Sequence, residues 1–183
     1  MVELNRALPE LLMRRDGAVS VGSLVQPLRV EKRFVFRPRS IDVYYRLTNT
    51  GSAEISATFG VEMNVSLAAR SAENGRLFLL DEDRKKEISS DAAEIEGVQG
   101  LLVRDVRNEV SVTLSSVRAF RCWSVPVETT LPRADLPLDS ATRTDGRVEF
   151  QSHCFVPLWD FTLGQAETWE NHLSVGFEKT QSA

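Results

Sequence analysis

Between residues 55 and 67 the chain alternates in hydrophobicity without a break. Its odd positions read Ile55, Ala57, Phe59, Val61, Met63, Val65 and Leu67, and its even positions read Ser56, Thr58, Gly60, Glu62, Asn64 and Ser66. A period of two places every apolar side chain on one face of an extended strand and every polar one on the other. A helix would scatter the same residues around its circumference, and the β-branched and aromatic content also favours an extended chain. A strand of this length is expected in the middle of a large antiparallel sheet. A one-residue slip would turn all of its apolar groups to solvent, so its register is well determined.

The neighbouring segments follow the same pattern. In residues 41–48, Ile41, Val43, Tyr45 and Leu47 share one face, and Asn49-Thr50-Gly51-Ser52 reads as a turn, which predicts a hairpin with 55–67. Residues 2–15 suit either a short helix or a strand, and Asp16-Gly17 reads as a hairpin turn with 18–23 returning. Residues 25–36 form a strand that Pro27 and Pro38 bracket, which suggests an edge or a strand end. Residues 69–100 read as a loop-rich insertion with one short strand. Strands resume at 101–106 and 110–114, across Arg107-Asn108-Glu109, and at 120–127, ended by Pro126. A second loop-rich stretch, 129–147, precedes a strand at 148–161 with Val148, Phe150, Cys154, Val156 and Leu158 on one face. Trp169, Leu173, Val175 and Phe177 mark the last strand. Roughly ten strands with little or no helix predict an all-β fold, a large antiparallel β-sandwich forming a single domain over 1–183.

A net charge of -4 argues against a nucleic-acid binder, which needs a basic patch. The sequence holds no apolar run of membrane-spanning length, and residues 1–20 lack the layout of a signal peptide, so the expected setting is cytoplasmic. Cys122 and Cys154 fall in strand-like segments on expected inward faces and read as buried free thiols. With His153 and His172 as the two histidines, a zinc site would need an unusual ligand set, and no metal or cofactor is expected.

No phosphate loop, nucleophile elbow or zinc-binding helix motif is present, so nothing commits the chain to catalysis. Glu62 and Asn64 lie two apart on the polar face of 55–67, either as an ordinary solvated face or as hydrogen-bonding groups for a sugar or a domain contact. Gln151 and His153 repeat that geometry on 148–161 with Glu149 beside them, and His153 or Glu149 would be the weak catalytic candidates. Glu62 with Glu149 is a conceivable carboxylate pair for glycoside hydrolysis, if the fold brings them together. Trp159, near a strand end, is the candidate for stacking on a sugar ring, whereas Trp123 and Trp169 read as core or interface. Asp81, Glu82 and Asp83 lack the spacing of a calcium loop and read as solvated surface.

Four motifs occur in a characteristic order. They are Pro27-Leu28-Arg29-Val30-Glu31-Lys32-Arg33-Phe34 with Tyr45-Arg46-Leu47-Thr48-Asn49, then Phe59-Gly60-Val61-Glu62-Met63-Asn64-Val65-Ser66-Leu67, then Trp123-Ser124-Val125-Pro126-Val127-Glu128-Thr129, and Phe150-Gln151-Ser152-His153-Cys154-Phe155-Val156-Pro157-Leu158-Trp159. Together they resemble the C-terminal β-sandwich domain of glycoside hydrolase family 57, the α-amylase and 4-α-glucanotransferase group. The resemblance implies a galactose mutarotase-like supersandwich. It also implies catalytic carboxylates on a separate barrel, in cis or in trans, with the sandwich as a non-catalytic accessory to an α-glucan or maltooligosaccharide cleft. The family's glutamate and asparagine match Glu62 and Asn64, and with Gln151 and Trp159 these are the expected substrate-binding residues. Leu131-Pro132-Arg133-Ala134-Asp135-Leu136-Pro137 departs from the family's short Ser-Glu-rich link, and Phe150 stands where tyrosine is common. Two other readings remain: a free-standing epimerase of mutarotase type acting through His153 or Glu149, and a protein-interaction module that ignores sugars.

Overall fold

A computed structural model describes residues 2–5, 9–66, 75–81, 84–89, 91–130 and 148–180. Twelve strands account for most of them, all pairings are antiparallel, and no helix occurs among the described residues. The larger layer begins with β1 (Val2–Asn5), β2 (Glu10–Val21), β3 (Leu24–Arg37) and β4 (Ser40–Asn49), each paired to the next. Beside β4 lies β12 (Thr168–Lys179), then β10 (Val110–Thr130), β9 (Ala93–Asp105), β7 (Gly75–Asp81) and β8 (Arg84–Ile88). The smaller layer contains β5 (Ile55–Gly60) and β6 (Met63–Val65), both paired to β11 (Val148–Leu163), which in turn pairs with β10. β10 therefore belongs to both layers: Val110 to Ser116 pair with β12, and Arg121 to Thr130 pair with β11.

The core lies between the layers. Phe59 of β5 meets Tyr45 of β4 and Trp169 of β12, with ring centroids 5.2 and 5.6 Å apart, although β5 pairs with neither strand. Leu47 and Ile55 have no exposed surface, and Phe161, Leu163 and Leu173 extend the same cluster. Burying aliphatic and aromatic side chains of this size stabilises the fold by about 1.5–3 kcal/mol each.

The alternation at 55–66 is observed: Ile55 is buried, and the polar positions 56, 58, 62, 64 and 66 are exposed. Leu67 lies outside the described residues. The segment is not one strand, however, and it is not central. β5 and β6 are separated at Val61 and Glu62, and neither has a second partner among the described strands. The register runs unchanged across the gap, from Leu158↔Gly60 to Phe155↔Met63. Val61 therefore faces Pro157, whose carbonyl accepts the Val61 N–H at 3.1 Å. Proline has no N–H to return, so one rung of the ladder is missing there.

The expected hairpin between 41–48 and 55–67 does not form, because β4 pairs with β3 and β12. The chain after Asn49 instead crosses between layers. The buried Asn49 side chain holds this crossing: Nδ2 donates to the carbonyls of Ala53 (2.8 Å) and Leu163 (3.0 Å), and Oδ1 accepts from Gly51 N (2.9 Å). A Cβ at Gly51 would stand 2.8 Å from both Gln26 and Pro27, so the crossing admits no side chain at that position.

Three other expectations are corrected. Asp16-Gly17 is not a turn but the middle of β2, where Asp16 pairs with Arg29 at 2.6 Å, and the turn lies at Gly22 and Ser23, with Gly22 at φ 60. The 69–100 stretch is built largely of strands, β7, β8 and most of β9. The segments around 110–114 and 120–127 are a single strand, β10, with Pro126 beyond the part that pairs with β9. Of the loop-rich stretch expected at 129–147, Thr129 and Thr130 belong to β10, and 131–147 lie outside the described residues.

Candidate functional site

The outer face of the smaller layer carries the first group of expected residues. Glu62 and Asn64 are exposed on the same face and in contact, with Asn64 Nδ2 donating to Glu62 Oε1 at 3.0 Å. Opposite them on β11, antiparallel pairing places Cys154 beside Asn64, and Cys154 in turn faces Val125 on β10. Trp123, Val125 and Val127 form an apolar stripe on this face, 46, 42 and 38% exposed. Burial, and secondarily the Glu62 carboxylate, push the Cys154 thiol up, whereas burial pushes Cys122 up to about 12. Both thiols are free, Cys122 buried and Cys154 half-buried.

Gln151 and His153 are not brought into this row. The pairs run Val127↔Ser152 and then Glu128↔Phe150, so Gln151 is the extra residue of a bulge and the strict alternation fails there. His153 is 1% exposed; its Nε2 lies 2.7 Å from Ser124 Oγ and its ring stacks on Phe155 at 4.7 Å. His153 is therefore enclosed rather than half-exposed on the polar face. The Glu149 side chain is outside the described residues. Trp159 is also corrected: at 4% exposure it lies among Phe59, Phe120 and Trp169, and its Nε1 donates to the Arg118 carbonyl at 3.3 Å. The indole that solvent reaches on the outer face is Trp123.

A second group, not selected from the sequence as a site, lies on the outer face of the larger layer. Pairing sets Leu12, Arg33, Tyr44 and His172 side by side on β2, β3, β4 and β12, with Glu31, Arg46 and Glu170 in the next row. They line a hollow of about 670 Å³, closed at one side by Val117 and Arg118 of β10. Its side chains are held by one another. The Arg33 guanidinium lies 4.2 Å from the Tyr44 ring centroid, and Tyr44 stacks on His172 at 4.4 Å. His172 Nε2 lies 3.3 Å from Asp42 Oδ1, and Arg37 Nε donates to Asp42 Oδ2 at 2.5 Å. The Arg37 hydrogen bond holds the Asp42 carboxyl below the usual carboxylate range, with Ser174 and His172 contributing against the effect of burial. Each of these residues sits at an alternate position of a strand whose other face is apolar. That periodicity was visible in the sequence, but the cross-strand register that assembles them was not.

An all-β sandwich with one strand shared between its layers is the class of domain these elements define. Among solved structures the fold is similar to that of a galactose mutarotase-like protein from Lactobacillus casei, with TM-score 0.68, 8% identity, and coverage of 97% of this chain and 72% of that one. An aldose epimerase homologue from C. elegans is similar at TM-score 0.62 and 7% identity, covering 98% and 69% of the two chains. The 4-alpha-glucanotransferase from Thermococcus litoralis gives TM-score 0.64 at 19% identity; 98% of this chain matches 22% of that one, so the chain spans about a fifth of its length. No match is found among curated protein sequences. The family profile "Alpha-amylase/4-alpha-glucanotransferase, C-terminal" matches residues 3–130, and the chain belongs to that family.

Proposed function

We propose that the chain is a non-catalytic accessory sandwich of an α-glucan-active enzyme, supporting a catalytic domain and contacting glucan. The observation that carries this reading is the family membership over residues 3–130. The exposed Trp123, Val125 and Val127 stripe beside Glu62 and Asn64 supplies a fitting surface, an apolar strip with a polar rim, for packing on the catalytic domain. Glu62 and Asn64 are the residues proposed to reach glucan from this side.

The test has two parts. The purified chain alone should release no sugar from starch and should not accelerate the interconversion of glucose anomers followed by polarimetry. Added to a family catalytic domain that lacks its own sandwich, it should lengthen that domain's half-life on heating, and Trp123→Asp should abolish the effect. Turnover by the chain alone would sink the accessory reading.

A further inference from the structure

The hollow on the larger layer has a chemistry of its own. Three guanidinium groups, Arg33, Arg46 and Arg118, share it with two carboxylates, Glu31 and Glu170. A simple anion would meet the carboxylates, a simple cation would meet the arginines, and an apolar ligand would leave charged groups without solvent or partner. A polyhydroxylated neutral ligand suits both, since each hydroxyl donates to a carboxylate and accepts from a guanidinium. Val117, 76% exposed at the rim, offers an apolar contact for the C–H face of a ring.

The walls are also set before any ligand arrives. Arg33, Tyr44 and His172 are stacked in series and anchored through the buried Asp42. Arg46 is paired to Glu170 at 2.6 Å, and Arg118 Nε donates to the Glu170 carbonyl at 3.0 Å while its guanidinium lies 5.7 Å from the Trp169 ring centroid. Groups already held in place lose less freedom when a ligand binds.

Shape extends the argument. A second hollow of about 360 Å³ lies where the layers diverge, lined by Arg121, Asp160 and Glu96, and Arg118 lines both hollows. Each is within the range of about 300–1,000 Å³ usual for small-ligand sites. Taken together across Arg118, the two hollows have the extent of a chain of units rather than of one compact molecule.

We propose that these two hollows, which share Arg118, form a cleft for a linear neutral oligosaccharide, with Arg118 at its midpoint. The identity of the sugar rests on the α-glucan reading above, so maltoheptaose is the probe. Calorimetric titration of the purified chain should show maltoheptaose binding at least about tenfold more tightly than maltose, because further units cross Arg118. Arg118→Ala should weaken maltoheptaose about tenfold, as expected for losing a hydrogen bond from a charged donor. Trp123→Ala should leave the affinity unchanged. Because Arg118 also packs on Trp169, Arg46→Ala provides a second variant; both partners of its ion pair are more than half exposed, so it should weaken binding several-fold without shifting the melting temperature. Three results would overturn the proposal: no saturable heat with maltoheptaose, tighter binding of glucose 1-phosphate than of maltoheptaose, or loss of binding on Trp123→Ala with Arg118→Ala and Arg46→Ala unaffected. None of the cleft variants touches the Trp123 stripe, so a failed cleft leaves the catalytic-domain test free to succeed.

Discussion

At the scale of single residues, two polar side chains do work that their burial makes costly to remove. Asn49 satisfies two main-chain carbonyls and one main-chain N–H where the chain passes between layers. Asn49→Ala should therefore lower the unfolding free energy by about 2–3 kcal/mol, read from urea denaturation, because buried backbone groups are left unpaired. Asp42 makes a pH prediction. Its carboxyl is held below its ordinary value of 3.8, chiefly by Arg37, so its stabilising contribution is complete above that value and is lost as pH falls through the lower folded-state value. Urea midpoints measured from pH 6 down to pH 2 should fall less steeply for Asp42→Asn than for the parent. The Asn variant should also be less stable than the parent at pH 6.

At the scale of the strand, Pro157 decides how β5 and β6 meet. Pro157→Ala would restore an N–H facing the Val61 carbonyl, and hydrogen exchange should find the new amide at residue 157 protected. One hydrogen bond contributes about 1 kcal/mol, while losing a proline frees the unfolded chain by about 0.4–1 kcal/mol. The two nearly cancel, so stability should change by less than about 1 kcal/mol. A 157 amide that exchanges as freely as a loop amide would contradict the account of the gap.

Pro157 also illustrates how much the sequence disclosed. The period of two at 55–66 identifies the strand faces, and it survives in the structure. The interruption needed a residue about a hundred positions away, and so did the absence of the expected hairpin, since strand length and local turn signals say nothing about which strands become neighbours. The same limit applies to the site. Glu62 and Asn64 share a face because they lie on one strand, which the alternation shows directly. Counting from Cys154 and Val156 puts His153 on the outward face, whereas the inward row on β11 is His153, Phe155, Trp159 and Phe161. The Arg33, Tyr44 and His172 stack joins three strands through long-range pairing, so no local pattern announces it.

At the scale of the whole molecule, β10 makes the two layers one cooperative unit. Far-ultraviolet circular dichroism and tryptophan fluorescence should report coincident urea transitions, because Trp159 and Trp169 lie on different layers of the same core. Separate transitions would mean that the layers unfold independently. The residues matched by the family profile are not a folding unit in this arrangement: a chain cut after Thr130 lacks β11 and β12. It would leave β5 and β6 without their partner and β4 without its link to β10, and it should show no cooperative transition.

The position of β12 between β4 and β10 also bears on synthesis. On a ribosome, β2, β3 and β4 emerge early and can pair at once, yet the outer edge of β4 waits for a strand that begins more than a hundred residues later. Throughout that interval the nascent chain displays an unpaired strand edge next to Val43, Tyr45 and Leu47, a surface that invites pairing with other chains. Yield in the cell should therefore respond to chaperone supply and translation speed more than the finished domain's stability would suggest.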